Sequence, residues 1–216
     1  MNSHERTAGP SLFTRARAIL AGALVLGVGA AVTVAAWTDN EYSEGSFSAT
    51  TFTTESSVNF GGTWADNIAS PGATMTFSTA GMSPNTFRYG SLWVRTKPAS
   101  DSGSLTLTAP TIVDTPATAP TLSSVLLYRV ITTAAITACD ASLFTAGASY
   151  IVGSSAGPVA LTTAGGSTAV AAAASATLPG TPTRFCFEVT LPASAPNTVQ
   201  GKATSAVWRV NATSSS

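Results

Sequence analysis

Histidine is nearly missing from this chain of 216 residues, and the one present, His4, stands at its extreme N-terminal end. A zinc peptidase needs neutral imidazoles and a nearby carboxylate, as in His-Glu-x-x-His. A Ser-His-Asp triad needs an imidazole base. Residues 5–216 supply neither. Charge is equally sparse: Asp, Glu, Lys and Arg make up 9% of the chain and balance to a formal net charge of zero. A nucleic-acid-binding face demands clustered Lys and Arg, so that class is set aside. Cysteine is limited to Cys139 and Cys186, too few for an all-cysteine zinc centre, and histidine is lacking for a mixed one. No metal and no cofactor is expected.

What the chain does have is an asymmetric start. Arg15 and Arg17 precede a run from Ala18 to Ala36 without charge or proline, and Asp39, Glu41 and Glu44 follow it. Positive, then apolar, then small, then acidic is the order of an export signal. The run is also just long enough to span a hydrocarbon core. An uncleaved anchor, with the arginines kept inside, is therefore the competing reading. Val34-Ala35-Ala36 places small or short side chains where a signal peptidase needs them, and Gly22, Gly27 and Gly29 loosen the helix. Both favour cleavage between Ala36 and Trp37, although a cut one residue earlier fits as well. Contact with the membrane is expected only through the uncleaved leader.

Cleavage would remove Arg6, Arg15, Arg17 and Glu5 from ten basic and ten acidic groups, leaving seven and nine, a formal charge of −2. The remainder is one domain's worth of chain. Outside the cell an even pair of cysteines is most simply one disulfide, Cys139–Cys186. Two buried thiols or a metal pair are the alternatives. The bond would restrict the unfolded chain by roughly 4 kcal/mol on the entropy model.

Alternation of apolar and hydroxyl residues predicts strands over 46–53, 73–78, 89–96, 104–108, 125–131, 150–152, 159–162, 185–191 and 203–211. Residues 125–131 are apolar on both faces apart from Arg129, which marks a central strand. Phe185, Phe187, Val189 and Leu191 share one face and Cys186 lies on the other. Its partner must therefore approach from an edge or a loop. Pro-, Gly- and Asn-containing turns punctuate these runs. The pattern reads as an all-β fold, an antiparallel β-sandwich or jelly roll, preceded by the helical N-terminal segment. Short helices are candidates at 141–146 and 169–176. Residues 140–183, built from Ala, Gly, Ser and Thr, read by composition as a floppy insertion. The organisation expected is a signal peptide over 1–36, an N-terminal strand segment over 37–54, a sandwich domain over 55–211 and a disordered tail over 212–216.

The block Ala35-Ala36-Trp37-Thr38-Asp39, followed by Gly45-Ser46-Phe47-Ser48-Ala49-Thr50-Thr51-Phe52, resembles the leader and mature start of the TasA/camelysin (CalY) family. Thr50 stands where that family usually has a glycine. The stretch Arg184 to Pro192, with Gln200-Gly201-Lys202 before a final strand, is similar to the closing hairpin of actinobacterial members. The resemblance implies export through a SipW-type signal peptidase and a jelly-roll subunit of a biofilm matrix or surface fibre, joined to its copies by donated strands. The segment 37–54, with Phe47, Thr51 and Phe52, is the candidate donor. Camelysin-type relatives have been classed as peptidases, but the residues above lack the ligands for it, so no enzyme is expected.

Other candidates are weaker. Asp39, Glu41 and Glu44 read as a solvated acidic start. Asp66, Asp101, Asp114 and Asp140 have no EF-hand spacing. Trp37, Trp64, Trp93 and Trp208 suit a core or an interface better than a sugar platform. A monomeric binding module or adhesin is the runner-up function.

Overall fold

The computed structural model describes residues 12–32, 51–59, 62–69, 73–75, 77, 81–134 and 136–215, and the chain divides into two units, residues 1–47 and 48–216. In the first, α1 (Leu12–Val32) covers the basic pair and most of the apolar run, as its Ala- and Leu-rich, proline-free sequence requires. Among the described residues no helix is long and apolar enough to cross a membrane.

The second unit is an antiparallel β-sandwich. Its main sheet runs β1 (Thr54–Ser57), β2 (Thr86–Thr96), β9 (Thr183–Leu191), β5 (Leu127–Thr133), β6 (Ser149–Val152), with β7 (Val159–Ala160) also on β5. Opposite it lie β3 (Gly103–Leu107) between β11 (Val210–Ser214) and β8 (Ser167–Val170), and β4 (Thr111–Thr115) beside β10 (Ala203–Val207). The two smaller sheets are one ribbon with a slip. Thr111 pairs with Val207 and Leu107 with Val210, so three residues oppose two between the ladders. Pro110, which has no N–H to give a ladder, stands at the slip.

The core explains the order of strands. Phe185, Phe187, Val189 and Leu191 of β9 meet Tyr128 and Val130 of β5, Val94 of β2, and Leu105, Leu107 and Val170 from the facing layer. Each such side chain contributes about 2 kcal/mol by leaving water. β9 is buried on both faces, which only an interior strand of a covered sheet can be. On its far side Cys186 and Ile131 form a second cluster with Phe144.

Several sequence expectations change. The single strand over 203–211 is two, β10 and β11, parted by the slip at residues 208–209; Trp208 stays on the inward face with Ala206 and Val210 and packs against Tyr128 and Phe187, with ring centroids at 5.9 and 5.1 Å. Residues 212–214, read as tail, belong to β11 and pair with β3. Residues 169–176 form no helix; Ser167–Val170 is β8 instead. The helix near Ala141 is a single 3-10 turn, Ala141–Leu143, capped by the Asp140 carboxylate, which accepts from Ser142 N at 2.9 Å. The low-complexity stretch 140–183 supplies β6, β7 and β8 and buries Val152, Leu161 and Val170. Small residues there allow close approach of backbones rather than looseness. The strand expected over 73–78 is absent at the described positions 73–75 and 77, although Met75 and Phe77 pack on the core.

Candidate strand-docking site

A sandwich that recruits another chain must leave an edge open, and most edges here are blunted in ways that discourage pairing. β1 is four residues long, and Ala65 bridges Ser56 by two backbone hydrogen bonds of 3.0 and 3.1 Å. Asn67 Nδ2 also donates to Ser56 Oγ at 2.8 Å. β6 and β7 are short, and β6 meets β5 through an irregular register. β8 is tied to the main sheet, with Thr96 Oγ1 donating to Ala171 O at 2.8 Å and Thr183 Oγ1 to Ala169 O at 3.2 Å. β4 stands between Pro110 and Pro116. Among the described residues no further strand pairs with the ribbon β10–β11, although its strands are five residues each and it carries the slip. It ends its sheets, contains no proline, and carries Arg209 as its sole charge.

That edge opens on a groove of about 1440 Å³. All of residues 203–213 line it. Successive side chains of a strand point to opposite faces, so a groove that every residue of the ribbon lines runs along its edge. The floor is the apolar inner face of the main sheet, including Leu92, Val94, Val189 and Leu191. The site thus places a strand edge beside apolar surface, the two components that strand addition uses.

The rim is basic. Arg88, Lys202 and Arg209 line the groove, and among the described lining residues Glu55 is the one carboxylate. Glu55 is already held by Arg95, Nε to Oε1 at 2.7 Å. Lys202 is positioned by donating to Thr118 O at 2.8 Å and Pro120 O at 2.6 Å. Arg88 Nη2 donates to Gly81 O at 3.0 Å.

Of the donor candidates, the structure seats two on their own domain. Thr51 bridges Ser100, with Asp101 N donating to Thr51 O at 3.1 Å and Thr51 Oγ1 to Ala99 O at 3.0 Å. Phe52 packs on the core beside Gly103, where an added Cβ would lie 2.6 Å from its ring. The ladder itself starts later, at Thr54. Ala36, Trp37 and Phe47 lie outside the described residues.

Cys139 and Cys186 are joined, with Cα atoms 5.7 Å apart. As the alternation requires, Cys139 comes from the loop after β5, not through the core. The bond holds that loop over the outer face of the main sheet. There Arg184, buried on β9, donates to Thr137 O at 2.5 Å and lies over the Trp93 ring at 5.0 Å. Beside it Glu188 accepts from Arg129 Nε at 2.6 Å and from the Tyr89 hydroxyl at 3.1 Å, and Arg129 lies 4.8 Å from the Phe144 ring centroid. Burial and the Glu188 charge push the Tyr89 hydroxyl up to about 12. Sequence reading missed this cluster. Its signal was present: Arg129 is the one charge of β5 and Glu188 the one carboxylate of β9, and a charge inside a buried strand needs a partner. Asp114 has a different role. Burial raises its carboxyl, but hydrogen bonds from Ser123 Oγ and N outweigh that and hold it below the usual range. Among the described residues no three His, Cys, Asp or Glu side chains converge as metal ligands would.

The chain matches no family model, no curated protein and no solved structure.

Proposed function

We propose that this chain is a secreted structural subunit, of the TasA/camelysin type that its N-terminal block resembles, which links copies of itself into an extracellular matrix or fibre by strand donation. The observation that carries the reading is the β10–β11 edge, which no described strand covers, opening on an apolar, basic-rimmed groove. Residues 37–50 are the donor. They carry Asp39, Glu41 and Glu44 to meet Arg88, Lys202 and Arg209, and Trp37, Tyr42 and Phe47 to fill apolar pockets. Thr51 and Phe52 then act as the hinge post that anchors the donor to its own domain. Cleavage between Ala36 and Trp37 by a SipW-type signal peptidase frees the donor, so export and assembly are coupled. The Cys139–Cys186 bond fits an oxidising compartment. In this reading the protein performs no covalent chemistry, binds no nucleic acid and needs no cofactor.

Deleting residues 37–45 tests the proposal. The expected product is a folded, secreted monomer that forms no filaments on an electron-microscope grid. Filaments unchanged from wild type would refute the donor assignment. A wild-type protein that stays monomeric at high concentration would favour the binding-module reading instead.

A further inference from the structure

The ladder between β5 and β6 ends at the pair Thr132 and Ser149, and a cleft of about 300 Å³ opens there. That is the lower end of the volumes in which proteins hold small ligands, roughly 300–1,000 Å³. Residues 131–133 of β5 form one side, and residues 145, 147 and 148 with Ser149 of β6 form the other. Part of the lining is apolar: Ile131 is 2% exposed, and Leu143 and Ala148 pack half-buried against its cluster. The rest is rich in hydroxyls. Thr132 stands opposite Ser149 in the register, and Thr133 and Thr145 add two more. The hydroxyls of Thr132, Thr145 and Ser149 make no hydrogen bond to another described residue. Each can donate one hydrogen bond and accept two. None of the described lining residues is charged.

The loop wall of this cleft is set in place by contacts away from it. The loop is tied to β9 by the Cys139–Cys186 bond. Phe144 is buried beside Tyr89 and Tyr150, with ring centroids at 6.1 and 6.3 Å. Ala148 N donates to Thr145 O at 3.2 Å and closes the turn. A wall already ordered loses little entropy when a ligand arrives.

The lining selects a ligand by what it lacks. An ionised ligand would shed water without meeting a counter-charge. A wholly apolar one would cover hydroxyls that have no partner in the protein and leave them unsatisfied. A sugar ring suits both parts, with its C–H face on Ile131 and Leu143 and its hydroxyl rim toward Thr132, Thr145 and Ser149. We propose that this cleft binds one neutral pyranose unit of a glycan. Hydrogen bonds at an open site are individually weak, so single units bind in the millimolar range and polysaccharides gain by repetition. The site itself is independent of strand donation. If the subunits do assemble, one cleft per subunit turns the weak contact into avidity for a polysaccharide.

The test uses the secreted protein and saturation-transfer difference NMR, which reads the ligand's protons on monomers and filaments alike. The probes are methyl glucopyranoside, methyl mannopyranoside and N-acetylglucosamine, with glucuronate as the charged control and cyclohexanol as the apolar one. At least one neutral sugar is expected to be saturated through its ring C–H protons, and both controls several-fold less. The paired change Thr132→Val with Ser149→Ala removes two hydroxyls and little volume, and is expected to weaken binding about tenfold. Circular dichroism checks that this variant keeps its fold. If it does not, Gly147→Leu decides, because a Cβ at Gly147 meets nothing within 4 Å and the longer side chain crowds the cleft without displacing protein. Saturation of no neutral sugar, equal saturation of either control, or undiminished binding in the deciding variant would overturn the proposal. None of these outcomes bears on strand donation.

Discussion

Arg129 and Glu188 face each other across β5 and β9 with two nitrogens on two oxygens, Nε–Oε1 at 2.6 Å and Nη2–Oε2 at 3.1 Å. The side chains are 15% and 1% exposed. Removing one partner leaves an uncompensated charge, which costs about 3 kcal/mol or more. Glu188→Ala is therefore expected to lower the thermal midpoint by several degrees, while the paired change Arg129→Met with Glu188→Leu stays within about 1 kcal/mol of wild type. Chemical denaturation of the three proteins checks this. A single variant as stable as wild type would show that the pair does not hold the sheet.

The Cys139–Cys186 bond spans 47 residues of sequence. Replacing both with alanine is expected to cost about 4 kcal/mol. Because Cys186 lies in the small outer cluster and not among the phenylalanines of the main core, far-ultraviolet circular dichroism should stay that of a β-protein. The early thermolysin cuts should fall in the loop between β5 and β6. Cuts spread over β2 and β9 would mean that the bond holds the whole sandwich.

Tyr89 supplies a pH dependence of known sign. Its hydroxyl is pushed up to about 12 in the folded protein, mainly by burial and by Glu188, and ionises near about 10 when unfolded. The neutral form is therefore favoured by folding. The contribution is complete below pH 10 and is lost as pH rises from about 10 to about 12. Tyr89→Phe cannot ionise, so its stability should fall less steeply over that window. Denaturation curves at pH 9, 10 and 11 for both proteins compare the slopes, and equal slopes would exclude Tyr89 as a source.

Charge on the groove rim controls assembly rate in this account. Arg209 is exposed on the β10–β11 edge. Arg209→Glu places a carboxylate against the acidic donor and is expected to slow filament growth about tenfold, about 1.4 kcal/mol. Raising salt should slow the wild type and narrow the gap to the variant. Light scattering at two ionic strengths reads both, and salt-independent growth would remove the electrostatic part of the proposal.

Much of the sandwich is legible where alternation is strict. Phe185 to Leu191 reads as a strand, and Cys186 opposite the phenylalanines points to a disulfide with a loop; both stand in the structure. Legibility fails where tertiary context overrules local pattern. The alternation of Ala203–Asn211 does put Trp208 inward with Ala206 and Val210, but nothing local to it reveals the slip opposite Pro110 that divides it into two strands. Composition misjudges 140–183, because small residues can mean close packing as well as looseness; Gly165, for example, sits where an added Cβ would lie 2.9 Å from Leu107. The place of β10 and β11 at the ends of their sheets is illegible for a related reason. Whether a strand is terminal depends on which strands fold beside it, and Thr204 or Val210 looks the same in the sequence either way.

The most direct measurement places a photo-crosslinking benzophenone residue at Ser205, exposed on β10, in the processed protein under assembling conditions. Mass spectrometry then identifies the captured peptide. The expected capture is a segment within residues 37–50 of a second copy, formed only in filaments. Capture of another region, or of the same chain alone, would contradict the claim that this edge receives its neighbour's N-terminal strand.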